Sequence, residues 1–271
     1  MNLLNYKKNH FSQNGEDGVI EKIFELLGQT EPGICCEFGA WDGLHLSNVR
    51  TLIQKGWTAV MIEGEQERLN QLKVNYQDNP NVFPINEFVG TRENSLSSIF
   101  RRHQLEDYLD QLDFLSIDID GLDYEIFETL DIKPKLICIE INAAHSPGQT
   151  MALDRELAKD NIGQPFSVFM RIAEKQGYEL ICYTGNAFFV RKDILAKHNL
   201  QTISTEEAYT NFLSNLNREE KEWLYLVNLG IVEPFFPYHN PLLTRKKLGL
   251  NIIKTSINFC KFTLRKKLKN R

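Results

Sequence analysis

The feature that most constrains the fold is a regular alternation of short apolar runs with amphipathic segments from residue 14 to residue 191. The apolar runs have the length of buried strands, and the segments between them repeat their apolar residues at helical spacing. Strands separated by helices in this way predict a parallel sheet with helices on both faces. The predicted strands are 33–38, 58–62, 82–88, 114–119, 136–141, 179–183 and 187–191.

The last two predicted strands differ from the others because only the turn Thr184-Gly185-Asn186 joins them. Two strands joined by a tight turn are antiparallel. We therefore predict an α/β, doubly wound, mostly parallel seven-stranded sheet that ends in an antiparallel hairpin. Residues 1–200 are predicted to form this domain, and residues 201–271 a helical C-terminal extension. The predicted helices of the domain are 14–27, 46–54, 65–75, 96–109, 124–130 and 166–176.

Composition limits the class of protein. The chain has 271 residues, of which 42% are hydrophobic and 25% charged, as in ordinary globular domains. No stretch approaches the roughly 20 apolar residues of a membrane-spanning helix, and the N-terminus lacks the apolar core of a secretion signal, so we expect a cytoplasmic protein. Residues 1–244 carry 21 basic and 36 acidic residues, a formal charge of −15. An acidic body argues against nucleic-acid binding, which needs a basic face on the folded part.

The loop after the first predicted strand, residues 37–43, is the first place to look for a ligand, because ligands bind beyond the carboxyl ends of parallel strands. Gly39 and Gly43 permit the tight turn and the close approach of a ligand to Ala40 and the neighbouring backbone. A dinucleotide fingerprint would have a glycine where Trp41 stands, so a nicotinamide or flavin cofactor is disfavoured.

The charges around this loop indicate the kind of ligand. Glu37, Asp42 and Glu63 repel a pyrophosphate and suit a ligand that bears an amine and a sulfonium. Glu63 ends the second strand and follows Gly43 by 20 residues, the spacing of the acid that binds ribose hydroxyls. Asn86 and Glu87, at the end of the third strand, are candidates to bind an adenine amino group. We therefore predict S-adenosylmethionine as the cofactor.

Several ordered blocks between residues 11 and 195 resemble the FkbM-type S-adenosylmethionine-dependent methyltransferases. These blocks are FSQNGEDGVIEKIF, CCEFGAWDG, MIEGE, FLSIDIDG, ICIEINA and NAFFVRKD. The resemblance implies a class I methyltransferase, Rossmann-like fold and O-methylation of a hydroxyl. It also suggests that Ser12 and Gln13 cap the cofactor pocket, although an ordinary helix-start cap explains them equally well. The cofactor-binding residues predicted in all are Gln13, Glu37, Gly39, Ala40, Asp42, Gly43, Glu63, Glu87 and Asp118.

Polar side chains at the ends of the fourth and fifth strands are the candidates for catalysis, since methyl transfer to a hydroxyl needs a base. They are Asp118, Asp120, Glu140, Asn142 and His145. In one interpretation a carboxylate or His145 is the general base. In the other, Asp118, Glu140 and Asn142, with Asp120 nearby, hold Mg²⁺ that polarises the acceptor hydroxyl. A third explanation is that strand-end acids bond the amides of the next helix.

The predicted function is an S-adenosylmethionine-dependent O-methyltransferase that acts on a glycan or a small hydroxylated metabolite. A non-catalytic cofactor-binding scaffold and a nicotinamide-dependent oxidoreductase are the alternatives. Residues 245–271 carry ten Lys and Arg and no acid, and Ile253, Ile257, Cys260, Leu264 and Leu268 form one helical stripe. A basic amphipathic helix of this kind predicts peripheral contact with the inner membrane face, and a solvated or dimer-forming tail is the alternative.

Overall fold

The apolar runs form seven strands in the computed structural model, which describes residues 1–119, 122–141, 164–216 and Lys221. Their order in the sheet and their directions define the fold. The strands are β1 (Ile34–Phe38), β2 (Thr58–Ile62), β3 (Val82–Ile85), β4 (Leu112–Ile117), β5 (Leu136–Glu140), β6 (Tyr178–Tyr183) and β7 (Asn186–Arg191).

The seven strands form one sheet in the order β3-β2-β1-β4-β5-β7-β6. The pairs β1–β2, β2–β3, β1–β4 and β4–β5 are parallel. Only β7 runs in the opposite direction, and it pairs antiparallel with both β5 and β6. The predicted mostly parallel, Rossmann-like sheet that ends in an antiparallel hairpin is therefore confirmed.

Eight α-helices are described, and most lie where helical spacing predicted them. The first predicted helix and the helix before β6 differ from their predicted bounds by two residues or fewer. The helices are α1 (Glu16–Leu26), α2 (Arg50–Gln54), α3 (Gln66–Asn75), α4 (Leu96–Arg102), α5 (Asp123–Glu128), α6 (Phe166–Gln176), α7 (Lys192–His198) and α8 (Thr205–Asn215).

Two helices are shorter than predicted. α2 begins at Arg50 rather than at residue 46, because Leu46 has a φ of 57° and the Ser47 and Asn48 groups bond to a carboxylate of β1. α4 ends at Arg102 rather than near residue 109, and Gln104 just beyond it has a φ of 58°. Left-handed backbone ends a right-handed helix.

Helices cover both faces of the sheet. On one face α1 packs Phe24 against Trp57 and Phe114, with ring centroids 4.8 and 6.2 Å apart. On the other face α5 and the hairpin meet through Phe127 and Phe189, whose centroids are 5.5 Å apart. A sheet buried on both faces exposes only its edges, so the strand ends are where its polar groups can meet a ligand.

The described residues all fall within one compact unit, Met1–Val232. Within it α8 packs on β6 through buried Ala208 and Phe212, and the Phe212 ring lies 5.1 Å from Tyr183. The predicted division between residues 200 and 201 stays a prediction, and the tail 245–271 lies outside the described residues. Among the helices that are described, none combines the length and the apolar character that a membrane crossing requires.

Candidate functional site

The strand register aligns several predicted site residues along the carboxyl edge of the sheet. Phe38 pairs with Ile62, and Ile117 pairs with Ile139. The residues that follow these pairs are Gly39, Glu63, Asp118 and Glu140, which therefore lie in one row across β1, β2, β4 and β5. β1 lies between β2 and β4, so this row crosses the point where the strand order reverses, which is the ligand position in open α/β sheets.

Gly39 brings the loop after β1 against the exit of β4. Its φ is 63°, and a Cβ at this position would overlap the backbone carbonyl oxygen of Asp118. The next residue, Ala40, is buried and donates its N–H to the Ile62 carbonyl at 3.2 Å. Glycine is therefore needed at position 39 both for its backbone angle and for the missing side chain.

Glu63 joins the loops that follow β1 and β2. One carboxylate oxygen accepts the backbone N–H of Trp41 at 2.8 Å, and the other accepts the N–H of Glu65 at 2.8 Å. Glu63 is 4% exposed, and Trp41 has a left-handed φ of 48°. Each carboxylate oxygen can accept a second hydrogen bond, and the ribose contact of Glu63 stays a prediction.

The Glu37 carboxylate accepts hydrogen bonds from the loop that follows β1. It accepts the Ser47 hydroxyl and the Asn48 backbone N–H, both at 2.7 Å. Burial raises the pKa of Glu37 to about 7, although these two hydrogen bonds lower it in part. The Asn48 amide in turn donates to the Ser116 hydroxyl at 3.0 Å, so Glu37 and Asn48 fix the loop to β4.

Asp42 lies between the two loop glycines and stabilises the turn that follows it. It accepts the N–H groups of Leu44 and His45 at 2.9 Å, and its second oxygen lies 2.5 Å from His45 Nδ1. Burial raises the pKa of Asp42, but the bonds from His45 and Leu44 outweigh it and leave the pKa below its ordinary value. Asp42 therefore stays charged and holds the turn.

The end of α3 supports the same turn. Asn75 donates to the Asp42 carbonyl at 2.9 Å, and the Tyr76 hydroxyl donates to the Gly43 carbonyl at 2.7 Å. A Cβ at Gly43, whose φ is 74°, would overlap the side chains of Leu72 and Tyr76. Both loop glycines are thus fixed by contacts with neighbouring elements.

Sequence reasoning missed the role of Asp17, which organises the segment before α1. One oxygen of Asp17 accepts the N–H groups of His10, Phe11 and Ser12 and the Ser12 hydroxyl at 2.8 to 2.9 Å. The other accepts the Thr51 hydroxyl at 2.7 Å. The available signal was an acid in the first turn of a helix shortly after a serine, two residue types that bond to each other and to nearby backbone. We call residues 10–17 the helix-start clamp.

The neighbouring acid, Glu16, connects this clamp to the hairpin. It is fully buried and accepts the Thr184 hydroxyl and the Asn14 N–H, both at 2.6 Å. Gln13 lies between Ser12 and Asn14 with its side chain half-buried, and its carbonyl accepts the Asn9 amide at 2.8 Å. The cofactor contact of Gln13 stays a prediction.

The polar side chains that follow β3 bond to other groups of the protein. The Asn86 amide donates to the carbonyls of Glu63 and Gly64 at 2.8 and 3.1 Å. Glu87 pairs with Arg102 at 3.1 Å and with His103 at 3.3 Å, and the Arg102 bond lowers its pKa. Binding of adenine by these two residues stays a prediction.

Sequence reasoning also missed Phe88, which follows them. It is 69% exposed, and its ring lies so close over Gly64 that a Cβ at that glycine would overlap it. Exposed aromatic residues draw attention only when their position in the fold is known, because single apolar side chains on a surface are common. Here the exposed ring covers Gly64, the residue that follows Glu63.

The predicted catalytic residues are only partly described. Asp118 is exposed and Glu140 is half-buried at the row of strand ends, and Glu140 pairs with Asn186 of β7. Asp120, Asn142 and His145 lie outside the described residues. Within the described ranges no group of three or more His, Cys, Asp or Glu side chains could hold a metal ion. The general base and the magnesium site both stay predictions.

No family model matches the chain, and no curated protein does. Among solved structures, it is similar to a SAM-dependent methyltransferase from Aquifex aeolicus, with 15% identity over 62% of this chain and 87% of that one and a TM-score of 0.38. It is also similar to the N-terminal domain of EvdMO1 with SAH bound, with 15% identity, 68% and 82% coverage and a TM-score of 0.43. Monomeric WbdD matches at 16% identity over 64% of this chain and 40% of that one, with a TM-score of 0.42. The fold rests on the strand order and directions, and likenesses at this level do not bear on activity.

Proposed function

We propose that the chain is an S-adenosylmethionine-dependent O-methyltransferase of the FkbM type that acts on a hydroxyl of a glycan or a small hydroxylated metabolite. The observation that carries this proposal is the arrangement at the reversal point of the sheet. There Gly39 holds the loop backbone against the exit of β4, and the Glu63 carboxylate holds the same loop from the other side.

The charge at this edge supports a cationic nucleoside ligand. Glu63, Asp118 and Glu140 lie in the row of strand ends, and Asp42 keeps its negative charge in the adjoining turn. Negative groups in one cleft attract an amine and a sulfonium and repel the two charges of a pyrophosphate. This is why we favour S-adenosylmethionine over a nicotinamide cofactor.

Exposed apolar side chains at the same edge support a ligand with a flat ring. Trp41, Leu46 and Phe88 are exposed large hydrophobic residues, and all three belong to the loops that follow β1 and β3. An aromatic face is a favourable surface for a purine. Phe88, beside Glu63, is the residue we propose to contact the adenine.

The chemistry requires an acceptor oxygen, a base and exclusion of water. When bound, S-adenosylmethionine supplies an electrophilic methyl group, which the acceptor oxygen takes as the carbon–sulfur bond breaks. Asp118 or Glu140 removes the hydroxyl proton, or these residues hold Mg²⁺ together with Asn142. If excess chelator left turnover unchanged, the magnesium mechanism would be ruled out and only the general-base mechanism would remain.

Calorimetry with S-adenosylhomocysteine and with NAD tests the cofactor. We expect the protein to bind S-adenosylhomocysteine and not NAD. Glu63→Gln should weaken binding about 10-fold to 100-fold, the effect of losing a charge-assisted hydrogen bond. Glu65→Gln is the matched control, since Glu65 is exposed and contributes only its backbone to the site.

The alternatives give different results. Uptake of NAD without S-adenosylhomocysteine would favour an oxidoreductase and contradict the proposal. Binding of S-adenosylhomocysteine without methylation of any hydroxylated acceptor in a broad screen would favour the non-catalytic scaffold. Melting temperatures of the variants separate lost binding from lost folding.

We also propose that residues 245–271 contact anionic membrane surfaces, which would bring a cytoplasmic enzyme to lipid-linked acceptors. The ten Lys and Arg of this segment and its apolar stripe support this proposal. Flotation with anionic vesicles, with and without residues 245–271, tests it. Equal flotation of both forms would contradict it.

A further inference from the structure

Arg50, the first residue of α2, connects the two loops that border the candidate site. Its guanidinium donates from Nη1 to the Leu44 carbonyl at 2.9 Å, and its Cζ lies 3.9 Å from the centroid of the Phe11 ring. Leu44 belongs to the loop after β1, and Phe11 belongs to the helix-start clamp. Arg50 is half-buried in this position.

The charge of Arg50 has no counter-ion in the described part of the chain. Elsewhere Arg68 pairs with Glu65 at 3.2 Å, Arg102 with Glu87 at 3.1 Å and Arg191 with Asp193 at 2.6 Å. The Arg50 side chain makes one hydrogen bond, to a carbonyl. A guanidinium has five N–H donors, so most of the donors of Arg50 have no partner among the described residues and can meet a ligand or solvent.

The buried acids of the clamp and of the loop after β1 are already bonded to other donors. Asp17 accepts from the clamp and from Thr51, Glu37 accepts from Ser47 and Asn48, and Asp42 accepts from Leu44 and His45. Within the described residues the Arg50 guanidinium is thus paired with a carbonyl and an aromatic ring but with no carboxylate. Arg50 therefore has the charge, the unused donors and the burial of a residue that binds an anion.

The cofactor of the proposed function carries one anionic group. Its amine and its sulfonium suit the acids of the strand-end row, but its carboxylate is repelled by them. We propose that Arg50 binds the carboxylate at the amino-acid end of S-adenosylmethionine. The planar guanidinium fork matches a carboxylate in a bidentate manner, while Leu44 and Phe11 hold it in place. This inference rests on the proposed function.

Calorimetry with two ligands tests the inference. One ligand is S-adenosylhomocysteine, and the other is its decarboxylated analogue, which keeps the adenosine, the sulfur and the amine. The wild-type protein should bind S-adenosylhomocysteine about 10-fold to 100-fold more tightly, as expected for a charge-assisted pair. Arg50→Gln should remove this preference by weakening S-adenosylhomocysteine and leaving the analogue unchanged.

Two further variants control the result. Arg50→Lys keeps the charge without the planar guanidinium and should retain part of the preference for S-adenosylhomocysteine. This variant also tests the inference if Arg50→Gln folds poorly. Arg101→Gln removes the same charge from an exposed site in α4 and should change neither affinity. Tight binding of both ligands by the wild type, or an equal loss of both in Arg50→Gln, would overturn the role of Arg50 and leave the proposed function standing. Binding of neither ligand by the wild type would overturn both.

An anionic group on the acceptor substrate could bind Arg50 in the same way as the cofactor carboxylate. If Arg50→Gln left the affinity for S-adenosylhomocysteine unchanged and raised the KM of a carboxylated acceptor, the inference about the cofactor would be wrong. The two affinities and that KM thus assign the carboxylate to one molecule or the other.

Discussion

The helix-start clamp and the loop after β1 are two irregular segments at the same edge of the sheet, and a buried carboxylate organises each of them. Asp17 is 1% exposed and Glu37 is 4% exposed. Burial raises the pKa of both groups, yet the pKa of Asp17 falls below its ordinary value while that of Glu37 rises to about 7.

One difference is the number of donors; Glu37 also lies deeper below the surface, and the Asp17 charge raises its pKa further. Asp17 receives bonds from three backbone N–H groups and two hydroxyls, whereas Glu37 receives one hydroxyl and one backbone N–H at 2.7 Å. Hydrogen bonds to the charged form offset desolvation only when there are enough of them. The comparison teaches that burial alone does not decide whether a buried carboxylate is charged.

The largest expected effect is on the clamp. Asp17→Asn should lower the free energy of unfolding at pH 7 by about 3–5 kcal/mol, because an amide cannot accept all of these bonds. Asp193→Asn, at an exposed ion pair with Arg191, should cost below about 1 kcal/mol. Chemical denaturation of both variants measures the difference. Equal losses of stability would show that the Asp17 hydrogen bonds contribute no more than an exposed ion pair does.

The next effect separates the two acids by pH. The folded pKa of Glu37, about 7, lies above its ordinary 4.5, so the folded state holds this proton more tightly than the unfolded state. The stability that Glu37 contributes is fully present below about pH 4.5 and is lost as pH rises through 7, by about 3 kcal/mol in all. Glu37→Gln should lack this loss. Parallel stability curves for the wild type and the variant between pH 4.5 and 8 would contradict the comparison.

The fold was predictable because its signal is local. The run 58–62 was predicted as a strand and forms β2 with those bounds, and the tight turn at 184–186 predicted the antiparallel hairpin. Apolar periodicity and turn residues are read within a few positions of the chain.

The site was less predictable because its contacts are not local. Ser47 and Asn48 look helical, but Asn48 bonds to Glu37, 11 residues away, and to Ser116, 68 residues away. Arg50 meets Phe11 from a distant part of the chain. Spacing in the sequence gives no warning of such partners. The Asp17 bonds to Ser12 span only five residues and were within reach of sequence reasoning.

A smaller effect tests whether the loop after β1 is fixed by contact or by backbone angle. Gly39 and Gly28 both have left-handed φ, 63° and 68°, but a Cβ at Gly39 would overlap the Asp118 carbonyl while Gly28 faces open space. Gly28→Ala should cost about 1 kcal/mol for the angle alone, and Gly39→Ala about 2 kcal/mol more. S-adenosylhomocysteine binding should be lost only in Gly39→Ala. Equal stability losses in the two variants would show that the contact with β4 is unimportant.

The smallest effect compares the same chemical change in the two regions. Thr51→Ala removes one hydroxyl donor from Asp17, and Ser47→Ala removes one from Glu37. Thr51→Ala should cost about 1 kcal/mol at pH 7, because four donors still hold the Asp17 charge. Ser47→Ala removes the only hydroxyl that Glu37 accepts among the described residues and should raise its pKa further, since less then opposes desolvation. The decline of stability with rising pH, which Glu37 causes, should therefore move to higher pH in Ser47→Ala and stay in place in Thr51→Ala, whose donor serves Asp17. An equal shift of this decline in both variants would mean that it does not come from the bond that Ser47 donates to Glu37. The count of donors would then no longer explain why one carboxylate stays charged and the other holds its proton near neutral pH.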